Sequence, residues 1–92
     1  MSTTGCGGGL SAEEKDFAPV ALAGSSLSLL YDIRDGKPEA KMERDTQGMV
    51  DTIHKYEDAL SDEAIRKKID QTIELLDGMC EDCEDLLREA RP

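Results

Sequence analysis

The sequence predicts a small all-α fold: a three-helix domain, two long amphipathic helices around an uncharged first helix, behind a flexible N-terminal tail. Two observations carry this reading. Met42, Thr46, Met49, Ile53, Tyr56 and Leu60 are spaced 4, 3, 4, 3, 4, and Ile69, Ile73, Leu76, Cys80, Cys83 and Leu87 repeat the series. That alternation keeps one stripe of a helix facing a neighbour. No segment alternates apolar and polar residues with period two over a useful length, so no sheet is expected.

Residues 1–10, rich in Gly, Ser and Thr, bury too little to order themselves and read as a tail ahead of a single helical domain over 11–92. Ser11 with Glu14 three residues on forms a capping box. Pro19 removes one ladder donor, so Asp16 is a second possible cap that would place the proline in a first turn. Either start leaves a helix over roughly Phe17 to Ile33. Asp35-Gly36 closes it and Pro38 opens the second helix, which runs to about Leu60. Ser61 caps the third, with Asp62 and Glu63 in its first turn, and the unbroken apolar phase carries that helix to about Ala90. Asp77-Gly78 could break it, but the phase through Gly78 argues for continuity.

Ninety-two residues carry 11 Lys and Arg against 21 Asp and Glu, a formal charge of -10. Such a surface repels nucleic-acid phosphate and anionic membrane, so neither is an expected partner. The longest uncharged run, Phe17 to Tyr31, is too short and too broken by Pro19, Gly24 and serines to span a bilayer. The segment MSTTGCGGG lacks the basic and apolar regions of a secretory signal, and three cysteines do not make an extracellular disulfide framework. A reduced, cytoplasmic protein is expected.

The segment GMCEDCEDLL, residues 78–87, leaves three readings open for its C-x-x-C. Cys80 and Cys83 lie in phase with Leu76 and Leu87 and would fill a helix seam as small hydrophobes. Thiol–disulfide exchange needs the first thiol at a helix N-terminus, whereas a continuous third helix puts the pair in its last third among Glu81, Asp82, Glu84 and Asp85. Metal binding would draw on Cys6, Cys80, Cys83 and His54, a Cys₃His set of the kind that holds zinc, although no second cysteine pair supplies the usual knuckle. A single histidine and no phosphate-binding glycine loop leave no catalytic constellation, and the chain reads as non-enzymatic.

Protein–protein contact is the leading expectation, most simply as a homodimer. The first helix has no charge on any face between Phe17 and Tyr31, and Ala21, Gly24, Ser25 and Ser28 form a small-residue face. Two helices of the same chain cover only part of it. The third helix is basic at Arg66, Lys67 and Lys68 and acidic at Asp82 and Glu84, against the preference of its dipole. Two copies packed antiparallel about Leu75–Leu76 would pair these blocks. Alternatives are a metal- or thiol-handling protein using Cys6, Cys80 and Cys83, and an acidic inhibitor that mimics nucleic acid.

Overall fold

The computed structural model describes residues 10–92, which are all-α with no strand among them. The tail expected over residues 1–10, Cys6 included, lies outside the described residues except for Leu10. Four α-helices form instead of three: α1 (Ala12–Asp35), α2 (Glu39–Tyr56), α3 (Asp62–Leu76) and α4 (Glu81–Ala90), with a 3₁₀ turn over Glu57–Ala59.

Helix α1 starts at the Ser11 capping box. The Glu14 N–H donates to Ser11 Oγ at 3.2 Å and the Ser11 N–H donates to Glu14 Oε1 at 3.0 Å. This pair lowers the Glu14 pKa, the backbone hydrogen bond at Ser11 being the largest cause. Pro19 therefore sits inside the helix, not in its first turn. Gly36 ends it in the left-handed region (φ 67°), with its N–H on the Asp32 and Ile33 carbonyls. A side chain resists that conformation, which is why glycine follows Asp35. Pro38 then stands immediately before α2, and Ser61 Oγ accepts from the Ala64 N–H at 3.1 Å to start α3.

The helices run up, down, up, down. Helix α1 pairs most extensively with α2. Helix α3 runs alongside α1 in the same direction: Pro19 and Ser61 line one groove between them, and Ile33 and Leu75 line the next. Helix α4 returns along α3 until Arg91 bonds Asp70 in bidentate fashion, at 2.9 and 3.1 Å, and its flank lies against Ala40–Gln47 of α2. The two spaced series supply the core. Met42, Thr46, Met49, Ile53 and Tyr56 are buried, as are Ile69, Leu76, Cys80, Cys83 and Leu87, while Leu60 and Ile73 are half-buried. Thr46 is tolerated there because its hydroxyl donates to the Met42 carbonyl at 2.7 Å, leaving no unpaired polar hydrogen.

The expectation of one helix from Asp62 to Ala90 is overturned. Asp77 (φ 44°) and Gly78 (φ 79°) both enter the left-handed region, and α4 starts afresh after Cys80. The Gly78 N–H donates to Glu84 Oε2 at 3.0 Å, and the Met79 N–H to the Leu76 carbonyl at 2.8 Å. The apolar phase misled because Cys83 and Leu87 share a face of any helix that contains them, joined to α3 or not. Asp-Gly was the correct stop signal.

One ionisable carboxylate is buried beside this core. Asp32 is 4 % exposed, its Oδ2 has no hydrogen-bond partner, and Lys41 Nζ lies 3.5 Å from its Oδ1. Burial, and then the adjacent Asp45 carboxylate, push the Asp32 pKa up. Asp45 moves the other way, held down by the Asp32 carboxyl and by Lys41 Nζ at 2.7 Å. A raised carboxyl stabilises the fold fully below its ordinary pKa, and that contribution is lost as pH rises through the folded value. Asp32→Asn should therefore raise stability near neutral pH, since an amide carries no charge to desolvate. Melting curves of both chains should converge as pH falls towards the ordinary carboxylate range. An equal gain at every pH would contradict the assignment.

Candidate interaction surface

The outward side of α1 is exposed and uncharged over four turns. Phe17, Val20, Leu27 and Tyr31 are 51, 59, 44 and 46 % exposed. With Gly24 they are spaced 3, 4, 3, 4, a second seam on the side opposite the buried Ala18, Leu22 and Leu29. Glu13 and Arg34 continue the stripe by 4 and 3 residues at its two ends. Leu30 and Leu75 extend it sideways into an open apolar groove of about 520 Å³ between α1 and α3.

The serine hydroxyls beside this surface are already paired. Ser26 Oγ donates to the Ala23 carbonyl at 2.9 Å and Ser28 Oγ to the Gly24 carbonyl at 3.4 Å. Covering them strands no donor, so desolvation is cheap. A Cβ built on Gly24 meets nothing within 4 Å, which leaves room for another backbone to approach. Of the small-residue face expected from sequence, Gly24 and Ser28 point outward, whereas Ala21 and Ser25 are half-buried. Phe17 is anchored at one end by an edge-on contact with Tyr56, the ring centroids 6.4 Å apart, and the Arg34 guanidinium lies 4.8 Å from the Tyr31 ring centre at the other.

The sequence-derived charge interface does not assemble. Arg66, Lys67 and Lys68 stand on α3, while Asp82 and Glu84 belong to α4, so no single helix carries both blocks. Of the two residues at the intended two-fold, Leu76 is 0 % exposed within the chain and Leu75 is 48 % exposed. Glu84 is engaged locally by the Gly78 N–H and by Arg88 at 3.1 Å, and Asp82 is exposed. Lys68 instead borders the α1–α3 groove. The antiparallel pairing rested on one continuous helix over both blocks, which α3 and α4 do not form.

Cys80 and Cys83 are joined by a disulfide and are both 0 % exposed. Burial agrees with the seam reading; the bond corrects the expectation of free, reduced thiols. The placement is also corrected: Cys80 is the N-cap of α4, and its sulfur accepts from the Cys83 N–H at 3.2 Å. Sulfurs bonded to each other are not thiolate donors for zinc. His54 is 62 % exposed at its side chain, with Nδ1 3.6 Å from Glu57 Oε2. It stands seven residues beyond Gln47, on the order of 10 Å past the part of α2 that α4 lies against. Cys6 lies outside the described residues, among which no group of three or more His, Cys, Asp or Glu is arranged to hold a metal ion.

Among the described residues no helix is long and apolar enough to cross a membrane. Searches against protein-family descriptions, curated proteins and solved structures find no match to this chain.

Proposed function

We propose that this chain is a non-enzymatic protein–protein interaction module that self-associates through the outward seam of α1. The observation that carries it is the Phe17–Val20–Gly24–Leu27–Tyr31 stripe, exposed, uncharged and flanked by serine hydroxyls already bonded within the helix. Contiguous apolar surface of this kind marks a contact site more often than solvent exposure by chance.

The end charges favour a second copy as occupant. An antiparallel two-fold crossing beside Gly24 sets Val20 against Leu27, Phe17 against Tyr31, and Glu13 against Arg34 of the other copy. A parallel arrangement would place Glu13 beside Glu13 and Arg34 beside Arg34. A two-fold contact is self-complementary, and the antiparallel one satisfies that condition in both shape and charge. The span from Phe17 to Tyr31 is roughly 21 Å of helix, short of a standard interface, so a micromolar dissociation constant is expected.

Sedimentation equilibrium at several ionic strengths tests this. Each chain carries a formal charge of -10, so apolar association works against net repulsion and should tighten as salt is added. A dimer held by opposed charge blocks would loosen instead. A monomer at every salt concentration, or a dimer that dissociates with salt, would overturn the proposal.

A further inference from the structure

We propose that the Cys80–Cys83 disulfide is a latch on a domain-swapping hinge: reducing it lets α3 and α4 join into one helix whose C-terminal segment docks on α2 of a second copy. The argument begins with geometry. In an unbroken helix, Cβ atoms three residues apart stand about 5–6 Å from each other, whereas a disulfide needs about 3.5–4.5 Å. Cys80 meets that need by leaving the helix: its backbone is extended (φ −144°, ψ 93°), at the N-cap of α4. The oxidised pair therefore excludes a continuous helix, and the reduced pair permits one.

The chain is written for both states. The seam residues Ile69, Ile73, Leu76, Cys80, Cys83 and Leu87 keep helical phase across the corner, so straightening leaves them on one face. The bend itself is conformationally costly at Asp77 (φ 44°), a residue with a Cβ in the left-handed region. Straightening returns residues 77–80 to helical geometry but carries Cys83 and Leu87 off the chain's own α2. The matching surface is the α2 face that a second copy's α4 has vacated in the same way. Exchange of identical elements restores each buried contact, which is why domain swapping is an inexpensive route to dimers. Another protein's helix is disfavoured as occupant, since it would have to reproduce this seam and the Asp70–Arg91 pairing at its end.

The chemical step is thiol–disulfide exchange with a dithiol reductant. A reductant thiolate attacks one sulfur, the Cys80–Cys83 bond breaks, and a mixed disulfide forms. The second reductant thiol then displaces the protein sulfur, leaving a cyclic disulfide and two protein thiols, with two electrons and two protons transferred. Both sulfurs are buried, so attack follows opening of the corner.

The test uses the full chain with Cys6→Ser, to remove intermolecular disulfides, and Leu27→Glu, to disable the α1 seam. The swap does not depend on the α1 reading, and in this background the two cannot be confused. Light scattering should find a monomer when oxidised and a growing dimer fraction after a dithiol is added. Circular dichroism should gain the signal of about four helical residues over 77–80. Gly78→Ala, strained at φ 79° but well suited to a helix, should raise the reduced dimer fraction roughly fivefold and leave the oxidised monomer unswapped. A reduced chain that stays monomeric, or that dimerises without gaining helix, would overturn the proposal.

Discussion

Leu29→Ala is expected to lower the free energy of unfolding by about 3 kcal/mol, the usual cost of truncating a large aliphatic side chain in a closed core. Leu29 is 0 % exposed in the C-terminal half of α1 and belongs to the same core cluster as Met42, Met49 and Ile53 of α2. A domain of this length holds only about 5–10 kcal/mol in total, so the variant should melt far below the parent chain, on the order of 15 °C lower. Thermal unfolding followed by circular dichroism measures the change. A shift of only a few degrees would mean that Leu29 is not in the core and that α1 is turned about its axis.

Two residues away, Leu27→Glu should do the reverse. Its side chain is 44 % exposed on the outward seam, so the glutamate remains solvated in the monomer and stability should change by less than about 0.5 kcal/mol. In the dimer the same carboxylate would be buried opposite Val20 without a partner. That cost is several kcal/mol, enough to weaken self-association by a hundredfold or more. Sedimentation equilibrium at fixed salt should show a monomer with an unchanged melting temperature. A Leu27→Glu chain that dimerises as tightly as the parent would remove α1 from the contact.

The contrast between Leu27 and Leu29 also marks what was legible in the sequence. The α2 seam could be read from spacing alone, because charged residues occupy every other face of that helix and only one side can be buried. In α1 no charge between Phe17 and Tyr31 distinguishes the two seams, 18–22–29 and 17–20–24–27–31. Which of them faces α2 was fixed by packing, and the outward one emerged only in three dimensions. The Gly36 and Ser61 boundaries were legible because each rests on local chemistry, a left-handed glycine and a hydroxyl cap. The corner at Asp77-Gly78 rests on equally local chemistry, but the apolar phase that runs through it is the same for a continuous helix and for a broken one. The charge interface across Arg66–Lys68 and Asp82–Glu84 depends on the same continuity, since those residues face one another between two copies only if the helix is straight. Asp32 was missed for a different reason. Nothing in its neighbours marks a buried carboxylate, and its setting is created by Lys41 and Asp45 arriving from another helix.

The most direct measurement of the α1 contact is a cross-link at its centre. Gly24→Cys places a thiol where a Cβ meets nothing within 4 Å, and Cys6→Ser removes the competing cysteine. A two-fold crossing beside residue 24 brings the two new thiols within disulfide reach. Under mild oxidation the chain should run as a covalent dimer within minutes, while a matched control, Glu43→Cys on the exposed side of α2, should remain monomeric. Slow, equal cross-linking at both positions would contradict the account.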